Sequence, residues 1–263
     1  MKKTETGGTQ SIGRAAAVLR AVAAAGQAGY GLADVAAHVG IERPTAHRIL
    51  RRLVDESLLV QDPSSRVYRL GPLLYELGLA AQPSVPALQW CSEALRDLSR
   101  ITGDSAFLTV RSGLDAVCMD RQEGHFPIKV LVLGVGQRRP LGCGAGSIAL
   151  MSLMPDQQVE ELLERNAARL RARDEPCTAR FMEMVRRARE DGYSTKDAPD
   201  LPVRSLGVAL GDAYGHGICA LSVSTLTPRV EQRLDLMVDA LRSVARDLGV
   251  RMRGSTLRGP FPG

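Results

Sequence analysis

The chain has 263 residues, more than one ordinary domain needs and enough for two. With 44% hydrophobic and 24% charged residues it has a globular balance, which excludes global disorder, and no apolar run approaches the roughly 18 residues of a membrane span. A net charge of +5 permits nucleic-acid binding without requiring it.

The N-terminal MKKTETGGTQ has two lysines but no apolar stretch behind them, so no secretory signal is expected and the cytoplasm is the expected home. Cys91, Cys118, Cys143, Cys177 and Cys219 are dispersed and odd in number, a pattern of neither a disulfide framework nor a zinc cluster. Residues 1–10 and 254–263, polar or rich in Gly and Pro, are expected to be mobile ends.

Between them, the first unit reads as three short helices and a hairpin. Ile12, Ala15, Ala16, Leu19, Val22 and Ala23 recur at helical spacing, predicting a helix over Ile12–Ala25 with one buried stripe. Ser11 is its expected N-cap, and Gly26 and Gly29 end it. Leu32, Val35, Ala36 and Val39 share a face of a second helix, Leu32–Val39, with Gly40 as its stop. A third helix is predicted over Pro44–Ser57, since proline's missing N–H costs nothing in a first turn. Leu58–Gln61 and Val67–Leu70 read as strands joined by the turn Asp62-Pro63-Ser64-Ser65. Pro72–Gln82 is again helical, and Pro83 and Pro86 then break the chain at the expected domain boundary.

The remainder mixes elements without a strict βα repeat. Helix Ala87–Ile101 precedes strands Ser105–Arg111, Ala116–Arg121 and Ile128–Leu133. Helices Gly146–Leu153, Pro155–Leu170 and Thr178–Asp191 follow, then strands Leu206–Leu210 and Ile218–Ser224 and a final helix, Arg229–Gly249. This order predicts an α+β fold rather than a doubly wound sheet.

The third helix carries the clearest chemistry. With Ala46, Ile49, Leu50 and Leu53 turned to the core, its opposite side presents Thr45, His47, Arg48, Arg51 and Arg52, with Arg43 at its start. Guanidinium forks match both phosphate oxygens and the O6/N7 edge of guanine, and an α-helix fits the major groove. Thr45 is placed to meet a phosphate or a base. The preceding helix and the Gly40 turn give helix-turn-helix spacing, and the hairpin brings Arg66 and Arg69 as a wing against the backbone. A basic helix face is more often only a solvated face. Three ordered helices, a wing and one-sided charge together point instead to double-stranded DNA.

A second constellation is Gly142-Cys143-Gly144-Ala145-Gly146, which leads into a helix whose free N–H groups suit a carboxylate. Ser222 and Ser224 alternate with Leu221 and Val223, so both hydroxyls face one side of a strand. The bland alternatives are plain chain-turning and an exposed strand face; the dinucleotide fingerprint fails at Ser147. Cys143 beside a helix start is a candidate nucleophile, yet none of His38, His47, His125 and His216 is placed near it by sequence. No motif of a serine hydrolase, a phosphate-binding loop or a zinc protease occurs, and no cofactor or metal is expected. A redox sensor using Cys118, Cys143 or Cys219 stays open as an alternative.

Several segments resemble the IclR family of bacterial transcriptional regulators: Ser11-Ile12-Gly13-Arg14, Gly31-Leu32-Ala33-Asp34-Val35-Ala36, Gly40 through Leu50 with its Thr45-Ala46-His47-Arg48, and Tyr68-Arg69-Leu70-Gly71. Pro140–Gly146, Thr178, Gly192-Tyr193-Ser194, Asp212 and Ala220–Ser224 follow in the expected order, over roughly residues 11–249. The resemblance implies a winged helix-turn-helix (11–71), a linker helix (72–83) and a GAF-like α+β domain (84–252) for effector binding and oligomerisation. It implies a one-component regulator on pseudo-palindromic operator DNA, controlled by a small effector, often an organic acid, and working as a homodimer or dimer of dimers. By the same resemblance Gly144, Ala145 and Gly146 lie at the effector loop, and Asp197, Ser205, Ser222 and Ser224 at pocket positions. The family's frequent lysine after the loop is Ser147 here, and Asp197–Pro202 departs from the usual acidic stretch.

Overall fold

The alanine-rich stretch 15–25 favours helix. The computed structural model describes residues 7–80, 86–211 and 217–253. The chain divides into two compact units at residue 82.

In the first unit α1 (Gly7–Ala24) begins earlier than expected, so Ser11 lies inside the helix and is not its N-cap. Val18, Ala21 and Val22 turn inward, while Ile12 is 73% exposed and drops out of the predicted stripe. A helix anchored by Val18 and Val22 extends toward its N-terminus at one hydrogen bond per residue, so the cap signal is overrun. Residues 7–10 are therefore helical rather than a loose end; residues 1–6 and 254–263 lie outside the described residues.

Helix α2 (Leu32–Val39) starts with the Gly31 amide donating to Asp34 Oδ2 at 3.1 Å. It ends at Gly40, whose φ of 69° is the left-handed conformation that a side chain would resist. Helix α3 (Arg43–Asp55) has Pro44 in its first turn. Val18, Val22, Val35, Leu50, Leu53, Leu59 and Tyr68 form the core of this unit. The hairpin pairs β1 (Leu59–Gln61) with β2 (Tyr68–Leu70), Val60 opposite Arg69. Its turn is held by the Asp62 carboxylate, which accepts from the Ser64 and Ser65 amides at 2.9 and 2.8 Å and from the Ser64 hydroxyl at 2.6 Å. Those donors favour the ionised form and hold the Asp62 pKa well below the carboxylate range. Helix α4 (Pro72–Ala80) follows; Gln82 and Pro83, the expected helix end and break, lie outside the described residues.

The second unit is a six-stranded antiparallel sheet in the order β5-β4-β3-β8-β7-β6. Its strands are β3 (Ser105–Ser112), β4 (Asp115–Gln122), β5 (Arg138–Pro140), β6 (Ser194–Asp197), β7 (Val203–Gly211) and β8 (Gly217–Leu226). Helices α5 (Pro86–Thr102) and α9 (Thr227–Arg253) cover one face. Leu95, Leu98, Leu108, Leu221, Val223 and Leu241 belong to the core beneath them. The other face carries α6 (Ala145–Ser152), which packs on β3, β7 and β8, with α7 (Asp156–Arg171) and α8 (Thr178–Asp191) behind it. Leu141, Ile148, Met151, Leu163, Phe181 and Val185 fill this second layer.

Two strand expectations change. Ile128–Leu133 is not a strand: Ile128 and Leu131 are exposed, in the segment joining β4 to β5. The strand forms instead at Arg138–Pro140, where proline is tolerated because β5 is an edge with β4 as its neighbour. Strand β6, polar in every residue, is the opposite edge and carries no hydrophobic run to announce it. Among the described residues no helix is long and apolar enough to cross a membrane.

Candidate functional site

Helix α3 buries Ala46, Leu50 and Leu53, and at 3.6 residues per turn this directs its other side to solvent. Arg43, His47, Arg48, Arg51 and Arg52 are all exposed, and Thr45 is half-buried beside them. From Arg43 to Arg52 the axis advances about 13 Å, close to the roughly 12 Å width of a major groove. Arg52 pairs with Glu56 one turn on. Arg43, Arg48, Arg51 and Arg66 form no ion pair among the described residues, so their charge is free for another anion. Arg66 is exposed at the hairpin tip, with φ of 58°. Arg69, the other arginine of the hairpin, is engaged within the unit: its Nε donates to Gln27 O at 2.9 Å and its NH1 lies 3.5 Å from Asp62 Oδ2.

In the second unit a cavity of about 40 Å³ opens where the N-terminus of α6 meets the sheet. Gly144, Ala145 and Gly146 line it from the helix, and Ser205, Ser222 and Ser224 from β7 and β8. The two strand serines reach it by alternation: Leu221 and Val223 point into the core under α5 and α9, so their neighbours point the other way. The Ser205 and Ser224 hydroxyls are 2.7 Å apart and hydrogen-bonded. Thr109 and Ser222 line the cavity too; both are buried, and their hydroxyls have no hydrogen-bond partner among the described residues. They converge on Gly146, where a Cβ would lie 3.0 Å from Thr109 Oγ1 and 3.5 Å from Ser222 Oγ. Ser147 braces the loop, its Oγ accepting from the Gly142 amide at 2.6 Å.

Asp197 is not brought to this cavity. Along β6 the side chains of Ser194 and Lys196 are buried while Thr195 and Asp197 point outward. Asp197 is 59% exposed and pairs with Arg204 at 2.5 Å. It borders a separate surface groove of about 600 Å³ along α8. Its inward neighbour Lys196 instead forms a buried ion pair with Glu175 at 2.8 Å.

Sequence reasoning missed Thr109, Ser147 and Arg139 as cavity residues. Thr109 sits in an apolar strand, Leu108–Val110, and only its register opposite Ala220 places it beside the serines. Arg139 enters from the edge strand β5, which was itself unexpected.

The cysteine chemistry weighed from sequence finds no support. Burial, with Glu175 nearby, pushes the Cys143 thiol up to about 12, outweighing any help from the helix start. Burial likewise raises Cys118 to about 11. Both thiols stay protonated at neutral pH.

Residues 11–63 match the IclR helix-turn-helix domain, and residues 83–250 match the family described as bacterial transcriptional regulator IclR C-terminal. The glycerol operon regulatory protein of Streptomyces griseus is 31% identical over 264 residues, covering 91% of this chain and 96% of that protein. An IclR transcriptional regulator from Alicyclobacillus acidocaldarius superposes with a TM-score of 0.75 at 22% identity, over 92% of this chain and 98% of that one. An IclR homolog from Microbacterium hydrocarbonoxydans, solved in complex with 4-hydroxybenzoate, superposes with a TM-score of 0.67 at 20% identity, over 93% of this chain and 100% of that one. The chain belongs to the IclR family of bacterial transcriptional regulators, with a helix-turn-helix for DNA and a C-terminal domain for an effector.

Proposed function

We propose that this protein is a one-component switch: residues 11–71 read operator DNA, 72–83 link, and 84–252 sense a small organic acid and oligomerise. The observation that carries the reading is the set of exposed, unpaired arginines on α3, Arg43, Arg48 and Arg51, borne by a helix whose other side is locked in the core. Arg48 and Arg51 contact bases or phosphates, Arg52 with Glu56 beside it takes a phosphate, and Thr45, His47 and the wing Arg66 flank them. Such a regulator works in the cytoplasm, where the chromosome is.

One reading head spans few base pairs, so two copies on a pseudo-palindrome are expected from docking geometry. Ile12 on α1 and Tyr75, Leu77 and Leu79 on α4 are exposed large apolar side chains that a second copy would cover. The effector occupies the cavity of Gly144–Gly146, Ser205, Ser222 and Ser224; the homolog solved with 4-hydroxybenzoate supports an acid. The effector acts by preferring one arrangement of the linker helix and so shifting the spacing of the heads.

The test is reciprocal. Genomic fragments that the protein retains identify an operator; calorimetry then measures effector affinity with and without it. A severalfold difference is expected, and equal affinities remove the coupling.

A further inference from the structure

The cavity beside α6 is lined by hydroxyls, backbone and apolar groups, and by one charged side chain, Arg139. Arg139 is half-buried and forms no ion pair among the described residues; its guanidinium donates to the Val132 carbonyl. The carboxylate whose charge it feels, Glu175, is committed to Lys196, with both side chains almost fully buried at 8% and 6% exposure. The other nearby charge, Arg173, is of the same sign. Desolvation accordingly draws the Arg139 pKa below the ordinary arginine value. A desolvated cation without a counter-charge is costly, and a bound anion removes that cost.

Other groups at the same place point to the same ligand. The Ala145 and Gly146 amides, at the open N-terminus of α6, have no acceptor among the described residues. The Thr109 and Ser222 hydroxyls, also without partners, are donors converging on Gly146. The lining includes no acidic side chain.

We propose that Arg139 is the ionic partner of the effector, so that the cavity selects a carboxylate over a neutral molecule of the same shape. This rests on the effector-binding reading above and names the residue that sets its charge. The carboxylate takes the guanidinium fork from one side and the amide and hydroxyl donors from the other, each a charge-assisted hydrogen bond. At about 40 Å³ the cavity holds only a few heavy atoms. A larger acid displaces Val132 and Leu133, which wall it, and breaking the bond from Arg139 to Val132 O frees the guanidinium for the ligand.

The test uses the full-length protein and two assays, thermal shift and calorimetry. The probes are acetate, propionate, benzoate and 4-hydroxybenzoate, each against its own amide. At least one acid is expected to bind at millimolar concentration or below, about tenfold or more tighter than its amide. Arg139→Met is expected to lose about tenfold or more in affinity for that acid while binding the amide unchanged, and Arg139→Lys to recover part of it. Gly146→Leu, which fills the space between Thr109 and Ser222, is expected to abolish binding of both. Equal binding of acid and amide, unchanged acid affinity in Arg139→Met, or no binding of any acid overturns the proposal. If Gly146→Leu blocks binding but Arg139→Met does not, the assignment of Arg139 alone falls. If the acid still binds Gly146→Leu, the cavity is not the effector site. Should Arg139→Met fail to fold, the comparison of acid with amide on the unaltered protein decides.

Discussion

The two halves of the molecule use arginine in opposite ways. On α3 the guanidiniums stand in water on the outside of a helix whose inner side is fully buried, so the fold spends nothing on desolvating them. In the sensor half Arg139 is half inside and has no carboxylate partner among the described residues, beside the Thr109 and Ser222 hydroxyls, which have no hydrogen-bond partner there. The first arrangement suits a large polyanion that comes to the surface and brings its own counter-ions to release. The second suits a small anion that must be drawn out of water, since fewer contacts have to suffice and a drier site strengthens each. In the proposed reading the same side chain is a surface steering group in one unit and one half of an ion pair in the other.

Three measurements can break or sharpen that contrast. The largest effect is expected when the scaffold of α3 is cut rather than its charge. Leu50 is fully buried, and Leu50→Ala should cost about 2–5 kcal/mol of stability in urea or thermal unfolding. A loss below 1 kcal/mol would mean that α3 is not anchored as described. Next comes Arg48→Ala, which removes charge from the same helix without touching its core. Stability should stay within about 0.5 kcal/mol, while operator affinity falls by about 1–3 kcal/mol in a fluorescence anisotropy titration. Undiminished DNA binding would show the basic face to be merely solvated. The smallest effect belongs to Asp197→Asn. Because Asp197 points away from the cavity and its pair with Arg204 is largely exposed, effector affinity should change by no more than about twofold. A tenfold loss by calorimetry would return Asp197 to the site.

Legibility in the sequence followed the distance between cooperating residues. The exposed basic set of α3 lies within ten consecutive positions of one helix, so its geometry is set by 3.6 residues per turn and could be drawn before any coordinates. Ser222 and Ser224 were legible for the same reason, as alternate residues of one strand. Asp197 was misplaced because its side depends on the phase of β6, a polar edge strand that announces neither its existence nor its register. Arg139 and Thr109 were invisible as partners because β5 and β3 meet the helix loop only once the sheet is assembled. Ser11 misled because a local cap preference of about 1 kcal/mol yields to the propagation of a helix already anchored further along.

Local periodicity, turn residues and the run of guanidinium groups were enough to determine a winged helix-turn-helix with a basic face and an α+β unit following it in the chain; the family resemblance added the sensing role. Only tertiary structure decided which side chains share the small cavity, which carboxylate is already taken by Lys196, and which arginine is left without one. The physical reason is that helical and strand phase are short-range properties of the backbone, whereas charge pairing and desolvation depend on neighbours that strand order brings from distant parts of the chain.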